Sequence, residues 1–164
     1  ANRVAVLAPE PFGLPSNVLP AMELAAKSLK MVLQRFDVIG PMDFESTFVA
    51  IAKQRFDAAV IVDDAMLFSN AVTLASFAAK HRVPSIAFNE FADAGGLMAN
   101  GVDLPAMSRR SAAFIDKIFK GTKPNDLPIE RTTVFELVIN LKAAKALGIK
   151  IPNSVLVQAT KVIE

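Results

Sequence analysis

Ala58-Ala59-Val60-Ile61-Val62-Asp63-Asp64-Ala65-Met66-Leu67-Phe68-Ser69-Asn70 passes from an unbroken apolar run to two adjacent carboxylates and then to a helical pattern. A five-residue apolar run with no polar face reads as a strand covered on both sides, in the middle of a parallel sheet. An unpaired carboxylate is expensive in a dry core, so the chain must surface at Asp63. In an open parallel sheet with helices on both faces, chains surface into a crevice at the carboxyl ends of the strands, where ligands bind. Asp63 and Asp64 therefore mark the rim of a candidate site.

Arg3-Val4-Ala5-Val6-Leu7-Ala8 is a second buried strand by the same logic, followed by the irregular Pro9-Glu10-Pro11-Phe12-Gly13-Leu14-Pro15-Ser16-Asn17. Ser16 or Asn17 can cap a helix running to about Lys30. A strand over residues 31–38 and a turn at Gly40-Pro41 come next. Asp43 then caps a helix with Phe44, Phe48, Ile51 and Ala52 on one stripe. Beyond the central run, a helix over residues 69–81 carries Val72, Ala75 and Ala79 on an apolar stripe, widened by Leu74, Phe77 and Ala78; Pro84 forces its exit. Ser85-Ile86-Ala87-Phe88-Asn89 is a fourth strand. This β-α-β-α-β-α-β order predicts an α/β fold, a doubly wound, mostly parallel sheet flanked by helices.

The rhythm then changes. Residues 90–96 read as a loop, Leu97-Met98-Ala99 as a short strand broken by Asn100-Gly101, and Asp103 as the cap of a long helix closed by Gly121. Residues 124–133 should run extended, and Phe135-Glu136-Leu137-Val138-Ile139 is one more strand. Asn140 caps a short helix stopped by Gly148, and a final helix is expected from Asn153 to the terminus.

Composition narrows the function classes. A chain of 164 residues that is 52% hydrophobic can bury one core. Residues 1–104 hold eight basic and eleven acidic side chains and residues 105–164 hold ten and five, spread through helical patterns without exposed aromatics between them. That distribution reads as solvated surface, so no nucleic-acid partner is expected. Cysteine, tyrosine and tryptophan are absent and there is one histidine, which excludes disulfides and thiolate metal sites and leaves few groups for acid–base work. No apolar run has the length of a membrane span. The first residue is not Met and a strand begins by Arg3, as expected of a processed protein or a piece of a longer one.

No catalytic residue, cofactor or metal site is expected. His81 sits at a helix C-terminus, where a cation suits the dipole. No serine has a hydrolase elbow, and no glycine cluster has phosphate-binding spacing; Gly95-Gly96 reads as a turn. Asp63 and Asp64 could hold Mg²⁺ as in a phospho-receiver domain, but that chemistry needs acidic groups after the first strand, a hydroxyl after the fourth and a lysine after the next. Those places hold Pro9-Glu10, Asn89 and Asn100. What remains is a ligand-binding rim: Phe12, Ser16 and Asn17 from the first loop, Asp63, Asp64 and Met66 from the third, and Phe88, Asn89 and Phe91 from the fourth. Aromatic faces beside amide, hydroxyl and carboxylate groups suit a small amphipathic ligand.

Asn89-Glu90-Phe91-Ala92-Asp93-Ala94-Gly95-Gly96-Leu97-Met98-Ala99-Asn100-Gly101 resembles the ABC-transporter substrate-binding proteins of the tryptophan/tyrosine type. So do Val62-Asp63-Asp64-Ala65, His81-Arg82-Val83-Pro84-Ser85-Ile86, Pro124-Asn125-Asp126-Leu127-Pro128-Ile129-Glu130 and the stretch from Phe135 to Ile149. The resemblance implies one lobe of a type I periplasmic-binding-protein-like fold, matching only the second half of such proteins. Residues 1–102 would be the ligand-binding lobe, 103–133 a crossover helix and linker packing on a missing N-terminal lobe, and 134–164 a segment returning to the first lobe. It further implies a non-enzymatic solute-binding component, periplasmic or lipid-anchored outside the cytoplasm. That component would close two lobes on a small ligand, an amino acid with an aromatic one favoured, and present it to a membrane permease. The helix over residues 103–120, without its partner lobe, would be a homodimer surface. Asn100 stands where an aromatic is frequent in that family. The competing reading of the same architecture is the effector-binding lobe of a transcription regulator.

Overall fold

Val4 to Pro9 are buried without interruption, because their strand lies inside a sheet with neighbours on both sides. The computed structural model describes residues 2–10, 17–130 and 134–164. Its strands are β1 (Arg3–Pro9), β2 (Val32–Val38), β3 (Ala58–Ile61), β4 (Ser85–Ala87), β5 (Met98–Val102), β6 (Phe135–Asn140) and β7 (Lys161–Ile163). They form one seven-stranded sheet in the order β2-β1-β3-β4-β5-β6-β7. The first five strands are parallel, β6 runs antiparallel to β5, and β7 runs parallel to β6.

The helices are α1 (Val18–Ser28), α2 (Phe44–Lys53), α3 (Ala65–Ser69), α4 (Ala71–Lys80), α5 (Asn89–Asp93), α6 (Leu104–Phe119), α7 (Leu141–Leu147) and α8 (Asn153–Leu156). Right-handed crossovers put α1 on one face of the sheet and α2, α4 and α5 on the other. The second face holds the core: Phe44, Phe48 and Ile51 of α2, Leu67 of α3, Leu74 of α4 and Phe91 of α5 are fully buried. Asp43 precedes α2 but turns its carboxylate backward, accepting from Ile39 N at 2.8 Å and Gly40 N at 3.2 Å, and so fixes the turn rather than the helix end.

Several local expectations are corrected. The helix expected over residues 69–81 is α4, starting at Ala71, and a separate short helix, α3, precedes it; the two are divided at Asn70, whose side-chain amide donates to the Met66 carbonyl at 2.8 Å. The buried stripe of α4 is Ala71, Leu74, Ala75 and Ala78, while Val72 and Ala79 face outward. In an alanine-rich helix several stripes compete, and the one buried is that centred on Leu74. Residues 89–93 form a helix instead of a loop, since Phe91 can bury its ring against Gly96. Asn100-Gly101 does not end β5, because pairing with Leu137 and Glu136 of β6 overrides local propensity. The chain ends in one short helix and β7, not a long helix: Thr160 N bonds to Leu137 O at 2.9 Å, and Ile163 packs against Ala92, Ala99 and Val138. Residues 124–126 form a turn of 3-10 helix before the chain extends to Glu130.

A Cβ built on Gly96 would stand 2.1 Å from Phe91 Cε1, and Phe91 is fully buried. Gly96→Ala should therefore cost about 1–3 kcal/mol of stability, the usual range for overpacking, measured as a lower urea midpoint with unchanged slope.

Candidate functional site

Because β1, β3, β4 and β5 are parallel neighbours, the residues after them emerge at one edge. Glu10, Asp63, Asp64, Asn89 and Asn100 all lie along it. β6 adds a sixth: running antiparallel, it brings Glu136 opposite Gly101 at the same edge.

The carboxylates there are in different circumstances. Glu10 accepts from Arg35 Nη2 at 2.7 Å, and the same guanidinium reaches Asp37. Asp64 stands in extended conformation as the N-cap of α3, accepting from Met66 N at 2.8 Å and Leu67 N at 3.2 Å. Such a cap contributes about 1 kcal/mol. Asp63 takes neither role. Asp63 is solvent-exposed, yet partial desolvation of its carboxyl group raises its pKa from the ordinary value. Among the described residues no group of three His, Asp or Glu side chains is gathered for a metal ion, so the receiver constellation is not assembled.

Asp63 and Asn100 line a cavity of about 540 Å³ whose walls are Val18 and Met22 of α1 and Val60, Val62, Ile86 and Ala87 of the sheet. This volume suits a small organic molecule. Asn17 lies exposed at the head of α1, next to Val18, and its side chain caps nothing. Phe88 is 4% exposed and packs on Phe68 at 5.1 Å between ring centroids, within the core; Phe91 is fully buried beside it. Met66 is half-buried against that core. Asn89 is absent from the cavity wall and instead donates its amide to Glu136 Oε2 at 2.6 Å. Phe12 and Ser16 lie outside the described residues. The edge thus gathers Asp63, Asp64 and Asn89, leaves Asn17 off the cavity wall beside Val18, and leaves Phe88 and Met66 in packing roles. Glu136 went unnoticed as a rim residue. Its signal was a carboxylate in an otherwise apolar strand.

A second hollow, about 360 Å³ and apolar, lies on the same face nearer the amino ends of the strands, between α1 and Ala58, Val60, Ile86 and Met98. With no polar group to orient a ligand, it is uncovered sheet rather than a binding site.

A raised carboxyl pKa means that folding favours the protonated form, so its stabilising contribution is intact below the ordinary carboxylate range and is lost as pH rises through the shifted value. Asp63→Asn should accordingly raise Tm at pH 7, with the gain vanishing when melting curves are recorded at a pH below that range.

The chain matches the family described as ABC transporter substrate binding protein over residues 15–163. A conserved domain protein of Vibrio cholerae has a similar structure, with 25% identity and a TM-score of 0.83, covering 98% of this chain and 54% of its own. A Streptococcus pneumoniae ABC domain solved in complex with L-Trp has 24% identity and a TM-score of 0.83, covering 99% and 56%. The ligand-free, open form of a substrate binding protein with adhesive properties from Clostridium difficile has 15% identity and a TM-score of 0.64, covering 99% and 54%. This chain therefore spans about half the length of the solved structures it matches. A comparison with curated proteins finds no match. With a family match that runs over nearly its whole length, the chain belongs to the ABC transporter substrate binding proteins.

Proposed function

We propose that this chain is one lobe of a non-enzymatic solute receptor, which closes with a second lobe on a small amino acid and presents it to a membrane permease outside the cytoplasm. The observation that carries this reading is the convergence of Asp63 and Asn100 on a 540 Å³ cavity with apolar walls at the shared strand edge. An aromatic amino acid fits such a mixture of apolar wall and polar rim, in keeping with the L-Trp bound by the S. pneumoniae relative. Binding would shift a hinge equilibrium toward the closed form that the permease recognises.

Two surfaces support a missing partner lobe. Helix α6 has no buried residue, and Met107, Ile115, Ile118 and Phe119 are 42%, 52%, 38% and 86% exposed. Its start is firmly set, with Asp103 accepting from Ala106 N at 2.8 Å, so the helix is well formed but unaccompanied. On the sheet, Val60, Ile86 and Met98 are paired in one row and are only half-buried, although their sequence has no polar face. Both surfaces fit residues 103–133 packing on a second lobe, with residues 134–164 returning to the first.

Thermal-shift screening of the twenty amino acids on the whole gene product, followed by titration calorimetry, tests the receptor reading. An aromatic amino acid should bind at about micromolar Kd. The 164-residue chain alone, supplying half the contacts, should bind at about millimolar or weaker. A submicromolar constant for this chain would contradict a two-lobed site. The bare stripe of α6 should also make the isolated chain self-associate in sedimentation at high concentration, and adding the remaining lobe should abolish this.

A further inference from the structure

One edge of the sheet is long and open. Among the described residues β2 is paired to β1 on one side only, while the strand at the opposite end, β7, has three residues. Natural edges are blunted by brevity, proline, a bulge or charged side chains. β2 has seven residues, no proline, and a register with β1 that is unbroken from Val32 to Val38. Its two charged residues, Arg35 and Asp37, are opposite in sign, so they do not repel a second copy of the same strand.

The backbone shows which groups are free. Val32 N donates to Asn2 O at 2.7 Å and Val38 O accepts from Glu10 N at 2.9 Å, so the even-numbered residues turn their polar groups toward β1. Leu33, Arg35 and Asp37 turn theirs outward. The edge stops at Ile39, whose N–H is taken by Asp43.

A second copy approaching antiparallel must meet outward groups with outward groups, and the two-fold axis then passes through one residue of β2. An axis at Arg35 sets two guanidinium groups opposite each other, and one at Asp37 sets two carboxylates opposite. An axis at Gln34 or Val38 sets both charges against apolar residues. With the axis at Phe36, each Arg35 stands opposite Asp37 of the other copy, a favourable cross-strand pair formed twice by symmetry.

That register also completes side chains the single chain leaves unfinished. Arg35 spends Nε on Asp37 and Nη2 on Glu10, and among the described residues Nη1 is left over. The half-buried Phe36 ring, edge-on to Phe56 at 5.3 Å, would meet its own copy at a non-hydrogen-bonded position, where side chains approach closest. Exposed Leu29 and Val32 at one end of the strand would lie beside exposed Ile39 and Met42 of the other copy.

We infer that β2 is a pairing edge for a second copy of this chain, antiparallel about Phe36, so that two seven-stranded sheets continue as one. Arg35 and Asp37 set the register. β1, β3 and β4 separate this edge from β5, the strand that feeds α6. Supplying the remaining lobe therefore ends association through α6 and leaves this one.

Sedimentation of the whole gene product over a dilution series, with hydrogen exchange read on residues 32–38, tests the inference. The unmodified protein should dimerise, and the Arg35 and Asp37 amides should gain protection as concentration rises. Arg35→Asp should raise the dimer dissociation constant by about tenfold or more, and so should Asp37→Arg. Mixing the two variants should recover a dimer, because the chain with two aspartates then faces the chain with two arginines; variants that had merely lost their fold would not be rescued. A monomer throughout the series, a dimer without added protection at Arg35 and Asp37, or two folded variants that stay apart on mixing would overturn it. Should either variant fail to fold, the protection measured in the unmodified protein decides alone.

Discussion

Backbone hydrogen bonds that align Val6 with Val60, Val60 with Ile86 and Ile86 with Met98 lock four strands in one direction. Everything at the candidate site follows from that alignment. Each strand is apolar and ends where a carboxylate or an amide must reach water, so four exits are collected at one edge. The reversal at β6 extends the set. A parallel sixth strand would have carried Glu136 to the far edge, whereas the antiparallel one sets it against Gly101.

The two faces of the sheet are finished to different degrees. On one, α2, α4 and α5 bury phenylalanine, leucine and isoleucine completely. On the other, α1 covers part of the sheet and leaves an apolar hollow next to the candidate cavity. Val60, Ile86 and Met22 line both hollows. The two hollows share walls, so a change in how α1 sits on the sheet would reshape both.

The sheet was legible in the sequence because Val4 to Ala8 and Ala58 to Val62 admit no amphipathic reading, and because Pro84 and Gly148 stop helices by local geometry alone. Gly148 has φ 74°, a left-handed value that local sequence already suggested for a residue ending a helix. What could not be read was set by distant partners. Asn100-Gly101 looks like a turn until β6 lies beside it, and Lys161–Ile163 is a strand only because β6 offers it an edge. The rotation of α4 was hidden by composition: with alanine at positions 71, 75, 78 and 79, an inward stripe can be drawn in more than one way. At the site, Asp63 and Asp64 were found from the apolar run before them. Their separate duties are local as well: Asp64 caps α3 through Met66 N and Leu67 N, two and three residues on, and leaves Asp63 exposed to solvent.

The unsatisfied polar groups have an uneven distribution. Among the described residues two buried side-chain polar atoms lack a hydrogen bond, His81 Nε2 and Asn89 Oδ1. The first lies 3.9 Å from the Glu45 carboxylate, at the end of α4 and away from the strand tails. Nothing comparable answers the second. Asp63, whose charge is disfavoured where it stands, lines the cavity at the same edge. The orphan acceptor costs about 1–3 kcal/mol against a net stability of about 5–15 kcal/mol. It lies against the Gly101 backbone, closed to solvent, so that cost is carried inside the fold where β5 pairs with β6.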